Sequence, residues 1–524
     1  MGGIFQTKEV QEDLQSVETS RQKKTPNGPK YPVPSRSLIM VGLMLTMALA
    51  AMDGTIVATA IPTIVRDLGG FSLFPWVFSI YLLVQAVMVP IYGKLADLYG
   101  RKPILLFGII VFLVGSALSG LSQSMIELIV FRGIQGIGAA AIVPMSTTVI
   151  SDLYTMQERA KMQGYLSSAW GIASMMGPAL GGILVQYASW HWIFYINIPI
   201  GIGAFWVIGR YLQERVTLQA HSIDIGGAVL LLVGTGALIV GLLEGGVAWS
   251  WSAWPSLVIF TLSLSALVMF YVYEARTSEP ILPVWVFRRR FIGLANLVSL
   301  IVGVISLGLS SYLPTFVQRG LGSTPLVAGF ALGAMSVGWP LASALSGKLY
   351  LTRGFRTTAL IGSGLMISAS LVFLALSVHA APWQAAAASL WMGAGLGLTS
   401  TPLLIAVQSS VPWNQRGVVT GSNLFTRTVG SAVGVAVFGT LVNGFLLGWL
   451  RHPPRSLSHQ WPRHLTASEL VSGTRLHSLS NHAAQYVRQG LYLSIHHVFW
   501  VLLAVSLFAA LVEWALPAMS ITSE

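Results

Sequence analysis

The 524-residue chain contains no cysteine, which excludes a disulfide framework and a thiolate metal site. Charged residues are also scarce, at 9% of the sequence compared with about 25% in soluble domains. Hydrophobic residues make up 54%, and they do not form the short alternating segments of a membrane β-barrel. They form runs of the ~20 residues that a helix needs to cross a bilayer. The composition therefore predicts an all-α, polytopic membrane protein.

The sequence motifs of several function classes are missing as well. No Gly-x-x-x-x-Gly-Lys-Ser/Thr loop is present, which argues against direct ATP drive. The chain also lacks the nucleophile–base pair or metal cluster of a membrane enzyme and the ring of equivalent filter residues of a channel. Five histidines near the end of the chain lack metal-ligand spacing, namely His452, His459, His464, His477 and His482. We expect no enzymatic activity, no cofactor and no bound metal.

The net charge of +12 would suit a nucleic-acid partner only if the basic residues clustered on a soluble face. Lysine and arginine are instead concentrated in alternate loops between the apolar runs, and the short loops in between hold only Arg66 and Arg319. Loops rich in positive charge remain in the cytoplasm. This bias predicts a cell-membrane protein with both termini in the cytoplasm and no nucleic-acid partner, and we expect a monomer.

Charged residues and clusters of Gly, Pro or Asn divide the apolar sequence into fourteen predicted spans. They fall at about 37–62, 73–95, 103–122, 126–150, 161–186, 192–213, 224–243, 255–273, 291–316, 325–347, 356–377, 383–410, 417–448 and 491–516. Residues 1–36 are polar and proline-rich and are expected to form a disordered cytoplasmic tail, and 517–524 a second tail. The segment 450–490 is a predicted outer loop, in which a capping-box pattern from Thr466 to Glu469 predicts a helix.

An internal repeat relates the two parts of the chain. Residues 158–177 resemble 415–434, and residues 93–100 resemble 347–354. We therefore predict a six-helix bundle at 37–213, a linker with two additional transmembrane helices at 214–288, and a second six-helix bundle at 289–516 that includes the outer loop. Parallel repeats of this kind are a transporter architecture.

Asp53 lies within the first apolar run. An ionised carboxylate at bilayer depth costs roughly 2.5–3.5 kcal/mol or more, so such residues usually handle ions or substrate. Carboxylates ionise less readily in a dry site and more readily beside a cation, so Asp53 can exchange a proton when its cavity changes hydration. A structural, hydrogen-bonded aspartate is the alternative interpretation.

Two arginines also fall inside predicted spans. Arg132 is predicted to face a cavity or a partner, the alternative being that it snorkels to the outer interface. Arg427 could be a counter-charge for Asp53, an anchor for an anionic head group, or a structural residue bonded to carbonyl oxygens. Residues that could line a cavity, with core packing as the alternative, are Gln135, Met145, Asn296, Tyr312 and Met392.

The loop at 93–103 joins the second and third predicted spans. Its glycines allow a tight turn and close approach, and Asp97 can interact with a helix N-terminus in the opposite half. Such a contact can lock one conformation and release another, whereas an ordinary basic loop is the alternative. The predicted gating residues of this loop are Gly93, Asp97, Gly100, Arg101 and Lys102.

Small residues recur along the fifth span and form a ridge that lets helices approach closely, with generic packing as the alternative interpretation. Pro178 also predicts a bend there. The predicted gating residues of this span are Gly177, Pro178, Gly181 and Gly182.

Three of these segments carry a resemblance to a known superfamily. The 93–103 loop resembles the loop signature of the major facilitator superfamily, with Leu98 in place of the usual arginine. Residues 128–140, which contain Arg132, resemble the fourth-helix motif of its proton-coupled members. Residues 177–182 resemble the antiporter motif of its drug exporters.

Two further segments are similar to one family of that superfamily, the fourteen-helix drug:proton antiporters of the QacA and EmrB type. These are Met52–Pro62 and Trp190–Pro199, the latter with His191 where arginine is common. The resemblance implies the major facilitator fold and export of amphipathic, cationic drugs by alternating access, driven by inward protons. It also implies a role in multidrug efflux and antibiotic resistance.

On this interpretation Asp53, Arg132 and Arg427 are the candidates for proton coupling and substrate binding. The expected partners are a small amphipathic or lipophilic substrate, protons and the lipid bilayer. An exporter or flippase of lipids or lipid-linked molecules on the same fold is the alternative, for which Arg427 and the outer loop would be favourable features.

Overall fold

The computed structural model describes residues 33–68, 75–214, 224–245, 249–277, 280–323, 325–453 and 481–517. Within these ranges the chain is helical, and the only β-type pairing is an isolated bridge between Gly245 and Trp249. Residues 1–32 and 518–524 of the predicted tails, 1–36 and 517–524, lie outside the described residues, as does the capping-box segment of the outer loop.

Sixteen α-helices follow one another in the described residues. They are α1 (Val33–Leu68), α2 (Pro75–Tyr99), α3 (Arg101–Leu121), α4 (Met125–Leu153), α5 (Met156–Tyr187), α6 (Trp192–Tyr195), α7 (Asn197–Tyr211), α8 (Ile225–Glu244), α9 (Trp254–Glu274), α10 (Trp285–Arg288), α11 (Arg290–Thr315), α12 (Pro325–Arg353), α13 (Phe355–Ala375), α14 (Pro382–Ser409), α15 (Arg416–Leu450) and α16 (Asn481–Trp514). A π-helical turn, Phe316–Gly320, continues α11, and a 3₁₀ turn, Trp413–Gln415, precedes α15.

Thirteen helical stretches in the described residues are long and apolar enough to cross a membrane. A further stretch, Gly226–Leu242 within α8, is apolar but shorter. Each of the fourteen predicted apolar runs therefore coincides with a helix, and about thirteen of them have the length of a membrane span.

Several helices extend past their predicted spans. The first helix begins at Val33, so residues 33–36 belong to α1 and not to the N-terminal tail. Helix α16 begins at Asn481, within the predicted outer loop 450–490 and before the predicted span at 491. These differences have one cause, because the apolar run marks only the part of a helix that lies in hydrocarbon, while the helix itself continues into polar sequence.

Local sequence explains where several helices begin. Ser124 precedes α4, and its side chain accepts a hydrogen bond from the backbone N–H of Glu127. Thr155 precedes α5 in a capping box, in which the Glu158 carboxylate also accepts the backbone N–H of Thr155. Each cap satisfies backbone donors that would otherwise be left without partners at a helix start.

Close packing holds each half together, since apolar surface gains little by moving from lipid tails to another helix. In the first half, α3 and α4 approach so closely that a side chain on Gly138 would overlap the backbone of Phe112. In the second half, the rings of Phe316 and Phe373 each lie 5.0 Å from that of Phe499, between centroids. Helices α8 and α9 pack against each other, and α8 also contacts α2 and α15.

The two halves contact each other along α5 with α12 and along α2 with α15. A Cβ on Gly164 of α5 would lie 2.6 Å from the Cβ of Ala344 of α12, whereas a Cβ on Gly182 or on Gly329 would meet nothing within 4 Å. The close contacts therefore lie toward the end at which α2 and α12 finish and α5 and α15 begin. We call this the basic end, after the Lys- and Arg-rich loops that it carries.

The internal repeat is also present in the backbone. Gly100 precedes α3 with φ 96°, and Gly354 precedes α13 with φ 82°. Both conformations are accessible at low cost only to glycine. Equivalent sharp turns therefore connect the second and third helices of each half.

Replacing Gly354 by Ala should lower the stability of the protein by about 1–3 kcal/mol, because the φ 82°, ψ 162° conformation is strained for any residue with a Cβ. A Cβ at this position would meet nothing within 4 Å, so the whole cost comes from the backbone. Gly364, in the interior of α13, is the matched control, since a Cβ there also meets nothing within 4 Å.

Gly364→Ala should be neutral or stabilising by up to ~1 kcal/mol, because alanine is the better helix former. Thermal unfolding of both variants in detergent tests the difference. Equal changes in Tm would contradict the assignment of the cost to backbone strain.

Candidate functional site

Asp53 of α1 is fully buried, and its carboxylate is surrounded by donors. Its Oδ2 lies 2.6 Å from Nη1 of Arg132, an ion pair in which both side chains are 0% exposed. Its Oδ1 accepts hydrogen bonds from Nε2 of Gln135 at 2.8 Å and from Nδ2 of Asn197 at 3.1 Å. Helices α1, α4 and α7 thus close around one carboxylate, whose burial is tolerable only with such partners.

Arg132 points into the first half and does not snorkel to an interface. Its Nη1 also donates to Oε1 of Gln135 at 2.8 Å, and its Nε donates to the carbonyl of Val77 at 3.3 Å. The guanidinium lies 4.2 Å from the centroid of the Tyr81 ring. Its Nη2 has no hydrogen-bond partner among the described residues. Arg132 therefore depends on Asp53 for charge compensation, while the two N–H donors on its Nη2 stay unused among the described residues.

Glycines in α3 and α4 make this arrangement possible. A Cβ on Gly136 would lie 2.7 Å from the carbonyl oxygen of Tyr81. On the other side of α4, a Cβ on Gly115 of α3 would lie 2.5 Å from the backbone nitrogen of Gln135. The backbones of α2 and α3 can therefore approach α4 closely enough to enclose the ion pair.

Asn197, Ser116 and Tyr81 belong to this site but were not predicted for it. Nδ2 of Asn197 lies 2.9 Å from Oγ of Ser116, which donates to the carbonyl of Phe194 at 2.9 Å. An uncharged polar residue in an apolar run gives little signal in the sequence. The one available sign was an amide at the first residue of α7, next to the break between α6 and α7.

At the basic end, Asp97 of α2 reaches across to the second half. Its Oδ1 accepts the backbone N–H of Gly417 at 2.9 Å, and its Oδ2 accepts that of Val418 at 2.8 Å. These N–H groups belong to the first turn of α15, where the helix dipole favours an anion. The carboxylate therefore joins the two halves at a helix N-terminus, as the sequence predicted for its contact, and its gating role stays a prediction.

Arg101 strengthens the same junction. Its Nη2 lies 2.8 Å from Oδ1 of Asp97 and donates to the carbonyl of Trp413 at 2.7 Å, and its Nε lies 3.1 Å from Oδ2 of Asp152. The guanidinium also stacks 3.8 Å from the centroid of the Trp413 ring. Arg416 of the second half completes the group with a 3.0 Å ion pair to Asp152. Two arginines and two aspartates are thus linked across the boundary.

Lys102 contacts only the first half, whereas Gly93 packs against the second. Nζ of Lys102 donates to the carbonyl of Gly209, and its backbone N–H donates to Glu214, so Lys102 acts within the first half. A Cβ on Gly93 would lie 2.6 Å from the carbonyl oxygen of Gly417, which explains why glycine is needed where α2 crosses α15. The Lys102 contacts do not reach the second half.

The small residues of α5 lie against α1. A side chain on Gly177 would overlap the hydroxyl of Thr55, two residues beyond Asp53. Gly181 is buried, whereas a Cβ on Gly182 would meet nothing within 4 Å. The side chain of Pro178 lies outside the described residues. The ridge therefore packs along the helix that carries the buried acid.

The family model of the Major Facilitator Superfamily matches residues 43–435, which is most of the chain. The chain belongs to this superfamily. It is therefore a membrane transporter and not an enzyme. The match begins within α1 and ends within α15, so it includes the α8–α9 pair and leaves out α16.

Transporters of this superfamily are found among the relatives. The chain is 37% identical over 408 residues to "Multidrug transporter protein MdtP" of Bacillus subtilis, covering 78% of this chain and 75% of that one. It is 36% identical to "Multidrug resistance protein 3" of the same organism, covering 78% and 80%. "Efflux pump FUS6" of Gibberella moniliformis is 31% identical, with 78% and 74% covered.

Solved structures share the fold. The human organic anion transporter MFSD10 superposes with a TM-score of 0.60 at 16% identity, covering 92% of this chain and 100% of that one. A bacterial homologue of the human lysosomal transporter Spinster superposes with a TM-score of 0.53 at 17% identity, covering 94% and 100%. At these identities the likeness concerns the fold alone.

Within this superfamily fold, Arg427 is not the counter-charge of Asp53, because Arg132 occupies that position. Met145 and Met392 are each 0% exposed in the hydrophobic cores of the first and second half, which agrees with core packing, the alternative given for both. Methionine fills core gaps as readily as it lines a site. Asn296 is buried between α11 and α15, where its Nδ2 lies 2.8 Å from Oγ of Ser422. Tyr312 remains partly exposed.

Proposed function

We propose that this major facilitator superfamily transporter exports amphipathic, cationic compounds across the cell membrane in exchange for protons. The observation that carries the proposal is the fully buried Asp53–Arg132 ion pair within the transmembrane bundle. An intramembrane acid of this kind usually belongs to an ion or substrate pathway. The printed names of the relatives, which describe multidrug transport and efflux, support export of drugs.

Protonation of Asp53 is coupled to transport because it removes the counter-charge of Arg132. When Asp53 takes up a proton from outside, its carboxyl becomes neutral and Arg132 is left as a buried cation without a counter-charge. A buried cation without a counter-charge is unfavourable by several kcal/mol. The helices around Arg132 therefore move to a conformation in which its guanidinium is compensated or hydrated. The proton then leaves Asp53 on the cytoplasmic side. A cationic substrate competes with the proton for the same carboxylate, which gives exchange.

The net charge moved in each cycle decides which part of the proton gradient supplies the drive. A one-for-one exchange of a proton for a monovalent cation such as ethidium moves no net charge, so the pH difference alone drives it. A cycle that carries one additional proton inward also gains ~2.3 kcal/mol for each 100 mV of membrane potential. In our proposal the basic end faces the cytoplasm, fourteen helices cross the bilayer as in drug:proton antiporters of the QacA and EmrB type, and both termini are cytoplasmic. The closed junction of Asp97 with α15 then belongs to the outward-facing state.

Gradient-driven transport tests the proposal. Purified protein in liposomes should move ethidium against its concentration gradient when a proton gradient is imposed, and a protonophore should stop the movement. Empty liposomes and a gradient of equal size made with Na⁺ are the controls. Equal transport with the Na⁺ gradient, or with no gradient, would refute proton drive.

A second candidate function is export of lipids or lipid-linked molecules. The observation that favours it is the length of α15 and α16, which have 35 and 34 residues against the ~20 that span a bilayer. Both helices therefore extend past the hydrocarbon and could shield an acyl chain. Transport of a fluorescent phospholipid, with no transport of ethidium, would select this function.

A further inference from the structure

Arg427 is a cation without a counter-charge inside a membrane-spanning helix. It lies eleven residues after the start of α15, or ~16 Å along the helix from the basic end, and it is partly exposed. Among the described residues, its guanidinium forms no ion pair and donates no hydrogen bond. An arginine at this depth is costly and normally faces a partner or a water-filled cavity.

The neighbours of Arg427 on α15 place its side chain between the two halves. Residues three and four positions apart share a helix face, so Arg427 lies on the face of Asn423 and Leu424. Asn423 hydrogen-bonds to Asn296 of α11, and Leu424 packs in the hydrophobic core of the first half. The guanidinium therefore lies in the sector between α11 and the first half, where a substrate passes if the halves rock.

The contacts around Arg427 fix its backbone but supply no negative charge to its guanidinium. The amides of Asn423 and Asn296 and the hydroxyls of Ser299 and Ser422 bond to one another across α11 and α15. A side chain on Gly303 would overlap the carbonyl oxygen of Arg427, so the two backbones are in contact. The residue is fixed by its backbone, while its five N–H donors remain free for a ligand.

The charged residues within the spans of the two halves differ in whether they have a counter-charge. In the first half, the negative charge of Asp53 is already compensated by Arg132. In the second half, Arg427 is uncompensated. Between the two halves, a group that enters from solvent therefore meets the available positive charge of Arg427, whereas the negative charge of Asp53 is already paired in this conformation.

We propose that Arg427 is an anion-binding subsite that takes the carboxylate or phosphate head group of an amphiphile. A guanidinium matches both groups in geometry and binds them with paired, charge-assisted hydrogen bonds. The substrates then include anionic and zwitterionic amphiphiles, and the cationic part of a zwitterion remains free to compete for Asp53. The proposal rests on the proposed function only in that it places the subsite on the same transport path.

Binding of matched amphiphiles to the full-length protein in a neutral detergent tests this subsite. The probes are dodecyl phosphate and dodecyltrimethylammonium, which share one chain and differ in head-group charge. Wild type should bind the phosphate more tightly. Arg427→Gln should weaken phosphate binding about ten- to a hundredfold, as expected for lost charge-assisted bonds, and should leave cation binding unchanged or stronger. Arg427→Lys should retain most of the preference.

Arg451→Gln is the matched control, because Arg451 is exposed just beyond the other end of α15. It should leave all affinities unchanged. Equal binding of both probes by wild type, or unchanged phosphate binding in Arg427→Gln, would overturn the subsite. The measurement uses no proton gradient, so failure of proton coupling would leave this result intact, and failure of the subsite would leave gradient-driven transport intact.

Nanodiscs distinguish the source of the anion. If a membrane lipid occupies the subsite, phosphatidylglycerol nanodiscs should compete with dodecyl phosphate, and phosphatidylcholine nanodiscs should compete less. If the subsite serves exported compounds alone, the two nanodiscs should give the same affinity for dodecyl phosphate. Either result is compatible with an anionic head group at Arg427.

Discussion

Replacing Asp53 by Asn is expected to abolish proton-driven export while leaving the protein in the membrane. The amide cannot exchange a proton, so transport against a gradient should fall to the level of empty liposomes. The variant also leaves Arg132 buried with no counter-charge, which should lower stability by about 3–5 kcal/mol. Transport is measured in proteoliposomes, and stability by thermal unfolding in detergent.

Two controls separate coupling from folding. Asp53→Asn combined with Arg132→Gln removes both charges, so it should recover stability but not proton-driven export. Asp67→Asn changes an exposed acid at the C-terminal end of α1, where Oδ2 of Asp67 accepts a hydrogen bond from Nε1 of Trp190 at 3.1 Å. An amide oxygen can accept the same bond, so transport should be unchanged. Proton-driven export that persists in the stable double variant would show that this pair has no part in coupling.

Replacing Gly417 by Ala should prevent the two halves from closing at the basic end. The new methyl group would overlap the carbonyl oxygen of Gly93 and lie 2.7 Å from Oδ1 of Asp97, so α2 and α15 must separate. Overpacking of this kind costs about 1–3 kcal/mol, which shifts an equilibrium between two arrangements roughly five- to 150-fold. Transport should fall by a similar factor, because one state of the cycle becomes rare.

Because the chain contains no cysteine, spin labels can be attached at introduced cysteines alone, and they can measure how far the two halves separate. Spin labels at Lys161→Cys of α5 and Arg353→Cys of α12, both exposed and on opposite halves, report the separation at the basic end. The distance should increase in Gly417→Ala. Gly444→Ala, on the same helix with nothing within 4 Å of its Cβ, should not change it. Identical distances in the two variants would contradict a closing contact at Gly417.

The sequence predicted the helices and the buried acid because both depend on local composition. An apolar run forms a helix wherever it is placed in the bilayer, and the charge of Asp53 stands out inside one. The boundaries at Val33 and Asn481 were missed because those helices continue beyond the hydrocarbon.

The partner of Asp53 could not be predicted in the same way. Arg132 and Arg427 both lie inside spans, and only the rotation and packing of the helices decide which one is within 2.6 Å of the carboxylate. Gln135 was predicted to line a cavity, and its hydrogen bond to Asp53 could not be read from the sequence. Asn197 was missed because its role depends entirely on where α7 packs.

The most direct test of the central claim is proton movement driven by substrate. In liposomes loaded with ethidium and placed in weakly buffered medium, with potassium and valinomycin to hold the membrane potential near zero, the downhill exit of ethidium should move protons in the opposite direction. The Asp53→Asn and Arg132→Gln double variant lacks the carboxylate for which ethidium and the proton compete, so it should show no proton movement above that of empty liposomes. Wild-type exit with no proton flux, or equal proton flux in the double variant, would contradict coupling through Asp53.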